Sequence, residues 1–379
     1  MPLHIAIDAR RLRDFGIGTY IRSLAHALGD IDTVNRYTLV VGPADASLLA
    51  DLPENFQPAL YARIDSAPLD NLAFPAFVHS LAPDVTHITL SRIPLFMTRP
   101  YVVTVHDMAD LLLQDEASGL RMQLRRYRFR RGLARASRVI AVSEATKRDV
   151  EAATGLPPER IRRVYNAPDP VFFDGGTEAG AEERRRIMER YQIDYPYLLY
   201  AGNIRPHKNV PRLVEAFAVA RDQLASHPDY KDLRLVIIGD TISQYPAVRQ
   251  AVMKSRVDHL VRFLGFVEYE TLRCFFESAA AFVFPSRYEG FGLPPLEAMA
   301  CGTPVVTSNV SSLPEVVGDA AVLVNPENVF DIARGIRDVL LDRALRADLI
   351  RRGREQAARF SWSRTAREVL EIYREAAGQ

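Results

Sequence analysis

Along this chain, short apolar runs alternate with longer stretches in which apolar positions recur every three or four residues. The runs HIAIDA (from His4), RYTLVVG, DVTHITL, YVVTVHD and SRVIAVS read as strands. TYIRSLAHAL, the segment from Leu120 to Ala136, and SEATKRDVEAAT read as helices between them, the last opened by Ser143 as its N-cap. IRRVYNAPDP closes this half with two prolines. The alternation then restarts with YPYLLYAGN, LRLVIIGD, VRFLGFV, AAAFVFPS, TPVVTS and AAVLVNP, and ends on an amphipathic helix, WSRTAREVLEIYREAAG. Strand–helix alternation of this kind predicts parallel α/β sheets. The expected organisation is two doubly wound, Rossmann-like domains, residues 1–170 and 194–360. A charged connection spans 171–193, and a final helix spans 361–379. Ligands are then expected at the C-terminal ends of the strands.

Composition narrows the function more by exclusion than by suggestion. The 379 residues are 48% apolar and 25% charged, ordinary for a globular protein with a sizeable core. A net charge of +1 gives no global field for nucleic acid. Cys274 and Cys301 fit neither a disulfide framework nor a zinc site, which suits a reducing, cytoplasmic setting. A strand begins almost at the first residue, so no signal peptide is expected, and no apolar run reaches the roughly 18 to 20 residues that span a bilayer. Any membrane role is therefore peripheral. Its one candidate is the basic amphipathic segment from Arg121 to Arg138, interleaved with Leu124, Tyr127, Phe129 and Leu133. A solvated helix in an arginine-biased protein accounts for it equally well.

Four places carry candidate chemistry. The stretch PSRYEGFGLPPLEAMACGTPVV, Pro285 to Val306, reads as a strand end, a glycine turn, a short helix and the next strand. It sets Glu289 before the turn and Glu297 in the first helical turn, beside a helix N-terminus that attracts anions. Carboxylates there suit hydroxyl groups; the plainer reading is that Glu297 only complements the helix dipole. AGNIRPHKN places Arg205 and Lys208 after the first strand of the second domain, where two cations suit a diphosphate or stand as solvated loop charges. His106, with Asp107, ends the strand YVVTV. It suits a sugar hydroxyl or a general-base role, and taken alone reads more readily as a satisfied histidine near the core. Gly16 and Gly18 form half of a glycine-rich phosphate turn, without the further glycine and the acidic residue of a nicotinamide site.

Taken in order and spacing, FGIGTYIRSL, the VHD strand end, GNIRPHKN and EGFGLPPLEAMACGTPVV resemble a GT-B retaining glycosyltransferase of family 4 (group 1) over essentially the whole chain. IDARRLRDFGIGTYIRSL is similar to the bacterial polysaccharide mannosyltransferase subgroup. The resemblance implies two domains facing a cleft that closes, and transfer of a hexose with retention from a nucleotide-diphosphate sugar to a hydroxyl of a glycan or lipid-linked acceptor. Mannose from GDP-mannose is the first expectation; UDP-linked glucose or N-acetylglucosamine is the alternative. The setting it implies is surface polysaccharide or lipopolysaccharide synthesis at the cytoplasmic face of the membrane. Arg205 and Lys208 match the pair that holds the diphosphate, Glu297 the ribose ligand, and Glu289 the sugar contact beside the backbone amides of Phe291, Gly292 and Leu293. His106 matches a histidine beside the sugar, and Gly16 and Gly18 a loop over the phosphates or acceptor. No cofactor is implied, and with no Asp-x-Asp cluster near these motifs metal independence is expected. A nucleotide-sugar epimerase and a binding module without catalysis are the rival readings.

Overall fold

The computed structural model of the chain describes residues 1–14, 16–63, 67–90, 92–113, 119–173, 178–240 and 242–378. It divides into two compact units, residues 1–166 together with 361–379, and residues 167–360. The first unit opens with β1 (His4–Asp8), α1 (Ile17–Ile31), β2 (Arg36–Val41), β3 (Phe56–Leu60), α2 (Asp70–Ser80) and β4 (Val85–Ile88). It continues with β5 (Tyr101–Val105), α3 (Ala109–Leu112), α4 (Leu120–Arg135), β6 (Arg138–Ala141), α5 (Glu144–Thr154) and β7 (Ile161–Arg163). These strands form one parallel sheet in the order β3-β2-β1-β4-β5-β6-β7. Every residue of β1, β4 and β5 is buried, as strands covered by helices on both faces must be. Ser143 caps α5, its Oγ accepting from the Thr146 N–H at 2.9 Å.

The second unit runs through α6 (Glu178–Arg190), β8 (Tyr197–Gly202), α7 (Val210–Gln223), β9 (Arg234–Gly239), α8 (Pro246–Lys254), β10 (Val261–Gly265) and α9 (Tyr269–Ser278). Then come β11 (Ala281–Phe284), α10 (Leu293–Ala300), β12 (Val305–Ser308), α11 (Leu313–Val317), β13 (Ala321–Val324), α12 (Val329–Leu341) and α13 (Arg343–Ala357). Its parallel sheet has the order β10-β9-β8-β11-β12-β13. The last helix, α14 (Trp362–Ala377), belongs to the first unit. There the Tyr373 hydroxyl meets His87 Nδ1 at 2.7 Å, Glu375 pairs with Arg138 and Arg162, and Thr365 donates to the Tyr165 carbonyl at 2.7 Å.

Three features depart from the pattern read along the sequence. β3 and α2 each contain a proline, Pro58 and Pro75, which masks their periodicity. Pro58 is tolerated because β3 is the sheet's edge, where a missing N–H leaves no ladder bond unmade. Residues 171–193, read as a connection, belong with the second unit, and 174–177 among them lie outside the described residues. α6 is held to α9 by Arg184–Glu277 and Glu183–Arg273 pairs, each at 2.8 Å, so its charges bind it to a neighbour and do not solvate a linker. Among the described residues, no helix is long and apolar enough to cross a membrane.

In each sheet the strand order reverses once, between β1 and β4 in the first and between β8 and β11 in the second. Helices leave in opposite directions at such a point, and the crevice beyond the strand C-termini is where an open α/β sheet binds its ligand.

Candidate functional site

In the second unit the loops leaving β8 and β11 flank that reversal and are stitched together. Asn209, in a left-handed conformation at φ 62°, buries its side-chain amide and donates to the carbonyls of Pro285 at 3.1 Å and Pro326 at 2.7 Å. The Arg287 N–H donates to the His207 carbonyl at 2.7 Å. This brings Lys208, from the first loop, onto Glu289, from the second. The ammonium bonds both carboxylate oxygens, at 2.7 and 2.8 Å, with the side chains only 14% and 10% exposed. Ser286 Oγ also bonds Glu289 Oε1, and the Lys208 ammonium lies 5.2 Å from the centre of the Phe284 ring. Arg205 stands exposed on the same loop, and no described carboxylate pairs with it.

The Glu289–Gly292 turn is anchored from outside. Ser311 Oγ bonds the Glu289 carbonyl at 2.6 Å, and Ser312 Oγ reaches the carbonyls of Glu289 and Phe291 at 2.9 and 2.7 Å. Gly292 takes φ 111°, which only glycine adopts without strain, and starts α10. Pro294 and Pro295 have no N–H, so the helix start offers those of Gly292 and Leu293, which have no partner among the described residues. The Phe291 side chain is buried, its ring edge-on to Phe360 at 5.8 Å.

Glu297 lies one turn further along than its sequence setting suggested, as the fifth residue of α10, and it is 7% exposed. Burial, reinforced by the charge of Asp169, raises its pKa from 4.5 to about 8. A carboxyl held protonated at neutral pH has no charge with which to complement a helix dipole, which removes that plainer account. Among the described residues, no hydrogen bond or ion pair joins Glu297 to Lys208 or Glu289.

The first unit places its own candidates beyond β1, β4 and β5. Thr89, just past β4, donates from Oγ1 to the Asp8 carbonyl at 2.5 Å, and its own carbonyl bonds His106 Nε2 at 3.1 Å. A carbonyl can only accept, so the proton sits on Nε2 and Nδ1 is left as an acceptor. The ring meets Tyr20 edge-on at 4.7 Å. Burial lowers the His106 pKa to about 4, so the imidazole is neutral at physiological pH. Behind it, buried His87 bonds the hydroxyls of Tyr373 and Thr104, both at 2.7 Å, and Tyr20 completes the chain to Thr104 at 3.0 Å. Burial and the neighbouring His106 lower the His87 pKa to about 3.

Gly16 is an exposed turn residue preceding α1. Gly18 corrects the sequence expectation. Its N–H is already given to the Asp14 carbonyl at 2.9 Å, and a Cβ there would lie 2.3 Å from the Leu12 carbonyl oxygen. It is a glycine for close packing of its own loop, and its amide is not offered to a phosphate. The basic segment needs a second correction. Arg138 is not on the helix but on β6, paired with Glu375 at 3.0 Å, while the side chain of Arg121 lies outside the described residues. Leu124 and Tyr127 on α4, and Leu112 and Leu113 beside it, are about half exposed among the remaining arginines.

Sequence reasoning missed Ser286, Ser311, Ser312, Asn209, Thr89 and His87. None belongs to a spacing that advertises chemistry, because each works by anchoring backbone or filling a buried hydrogen bond.

Residues 183–356 match the family described as glycosyl transferases group 1, and residues 16–172 match glycosyltransferase family 4. The chain is 31% identical to the O-antigen chain mannosyltransferase B of Escherichia coli over 274 residues, covering 72% of this chain and 70% of that protein. It is 30% identical to the serotype-specific mannosyltransferase WbdA of Escherichia coli, over 62% of this chain and 28% of that longer one. The structure of Anabaena HepE in complex with UDP and glucose superposes with a TM-score of 0.77 at 19% identity, covering 98% of this chain and all of that one. That last likeness fixes the fold as GT-B.

Proposed function

The chain belongs to the group 1, family 4 glycosyltransferases, and on that premise we propose that it moves a hexose from a nucleotide-diphosphate sugar to a glycan or lipid-linked acceptor hydroxyl, with retention at the anomeric carbon and without a metal. The observation that carries the reading is the convergence at the β8–β11 reversal. Two cations, Arg205 and Lys208, stand there with a fixed carboxylate, Glu289, and with the free N–H groups of Gly292 and Leu293. Negative charge develops on a leaving diphosphate, and cations and backbone amides gathered at one loop cluster stabilise it. In this reading Glu289 meets the donor sugar and Glu297 the ribose; in the first unit the neutral His106 has a bare Nδ1 that can accept from a hydroxyl.

Mannose is the proposed sugar and GDP the proposed carrier, because the two Escherichia coli relatives are mannosyltransferases. HepE was solved with UDP and glucose, which keeps a UDP-linked donor as the second reading. The test is product formation from GDP-mannose and from UDP-glucose on a mannose-terminated, lipid-linked oligosaccharide, with and without a chelator. The anomeric configuration is read by NMR. Free hexose or epimer as the sole product, or transfer with inversion, overturns the proposal. The half-exposed apolar groups among arginines on α4 support peripheral contact with an anionic membrane. Equal partition onto vesicles with and without anionic lipid would remove that part.

A further inference from the structure

The Lys208–Glu289 pair has a consequence for the order in which ligands hold and leave the site. Resting on the donor-site reading above, the geometry points to Glu289 as an internal counter-ion of Lys208, one that tolerates a diphosphate only while a sugar is attached to it. Glu289 is thereby the residue that discriminates against the spent nucleoside diphosphate and speeds its release.

Both partners are nearly buried, and both carboxylate oxygens are used on the ammonium. The carboxylate is also the less mobile partner. Ser286 bonds one of its oxygens, and Ser311 and Ser312 hold its backbone carbonyl. Lys208, by contrast, reaches it through a flexible four-carbon stem. A diphosphate entering beside Arg205 therefore draws Lys208 toward itself and leaves Glu289 fixed, negative and partly desolvated. Two like charges at short range in a partly buried site repel strongly. Sugar hydroxyls donating to the carboxylate offset that repulsion. A nucleoside diphosphate has no such hydroxyls at its terminal phosphate, so it faces the bare charge, and Lys208 returns to Glu289 as it leaves.

The experiment is calorimetric titration of the full chain with GDP, UDP, GDP-mannose and UDP-glucose, for the natural protein, Glu289→Gln and Ser286→Ala. Glutamine keeps the shape and the Ser286 bond but removes the charge. Glu289→Gln is expected to bind the nucleoside diphosphate about tenfold tighter or more, the scale of one removed like charge. Its preference for the sugar-linked form should fall. Ser286→Ala, which frees one oxygen to turn aside, is expected to move the same way by about threefold, about one neutral hydrogen bond's effect, and serves if Glu289→Gln does not fold. Unchanged or weaker nucleoside diphosphate binding in both variants, with the natural protein binding normally, overturns the exchange alone. A natural protein that binds none of the four ligands overturns the donor-site reading and the exchange with it.

Discussion

Replacing Glu297 by glutamine should reverse part of the protein's pH dependence, by an amount that follows from the burial of one carboxyl. In the folded second unit that carboxyl releases its proton near pH 8, whereas in an unfolded chain it does so near 4.5. At pH 4 both states hold the proton, and natural protein and variant differ only by an isosteric swap. As pH rises above 4.5, the unfolded chain ionises while the folded one does not. Unfolding then gains about 1.4 kcal/mol for each pH step. Above pH 8 the folded carboxyl ionises as well, and the loss levels off at about 5 kcal/mol, a ceiling that water entry and small relaxations reduce. A raised carboxyl pKa thus gives stability that is complete below 4.5 and gone above 8. Glu297→Gln has no proton to release and escapes the loss. Urea unfolding followed by far-UV circular dichroism at intervals from pH 5 to 8.5 should show the variant's advantage growing by more than about 2 kcal/mol between pH 6 and 8. A stability difference that stays flat across this range would refute the reasoning, because it would mean that folded Glu297 titrates like an exposed carboxyl.

The same carboxyl predicts that donor binding at pH 7 releases close to one proton. Ribose hydroxyls donating to Glu297 favour its charged form, and titrations in buffers of different ionisation enthalpy would read the release; a heat independent of buffer excludes it. Lys208→Ala should lower donor turnover by about a hundredfold or more, the scale of one lost charge-stabilising group, and near-normal activity sinks the diphosphate assignment. Ser312→Ala removes the one hydroxyl donor that the buried carbonyls of Glu289 and Phe291 share, and should cost about 1–3 kcal/mol, raising the KM for donor more than it lowers kcat. In the first unit the signs oppose those of Glu297. His87 and His106 have pKa values lowered to about 3 and about 4, so their contribution is present above pH 6.5 and is lost as pH falls toward 4. Hydrogen-exchange protection factors should therefore fall in β4 and β5, and hold or rise in β11 and β12, between pH 6.5 and 5; parallel changes would count against this.

Much of the fold was legible because buried parallel strands leave uninterrupted apolar runs, and most of the strands show them. What escaped did so for local reasons. Pro58 and Pro75 break the periodicity of β3 and α2, and the dense charges of α6 look like a linker until Glu183 and Arg184 find Arg273 and Glu277 on α9. The candidate site divides along the same line. Arg205, Lys208 and Glu289 stand in loops at strand ends and Glu297 in the helix that follows, where charge type and position suffice to suggest a use. Their pairing is a different matter, since Lys208 and Glu289 are 81 residues apart and meet only because β8 and β11 are neighbours across the reversal.

That adjacency also explains why the two glutamates, eight residues apart in sequence, stand in different surroundings. Glu289 lies in the turn before α10, within reach of an ammonium and a serine hydroxyl that satisfy its charge. Glu297 lies in the second turn, where the helix has carried it into a buried setting in which the charge of Asp169 raises its pKa further. One carboxyl is therefore ready to act as a fixed negative charge and the other as a hydroxyl-binding group that charges only when a ligand supplies donors. The raised pKa of Glu297 alone does not separate hydroxyl recognition from general acid–base chemistry. The separation comes from the partners. Glu289 is committed to Lys208, the cation a leaving diphosphate requires. The arrangement suits two carboxyls that recognise the parts of a donor on either side of its phosphates, with the cations between them.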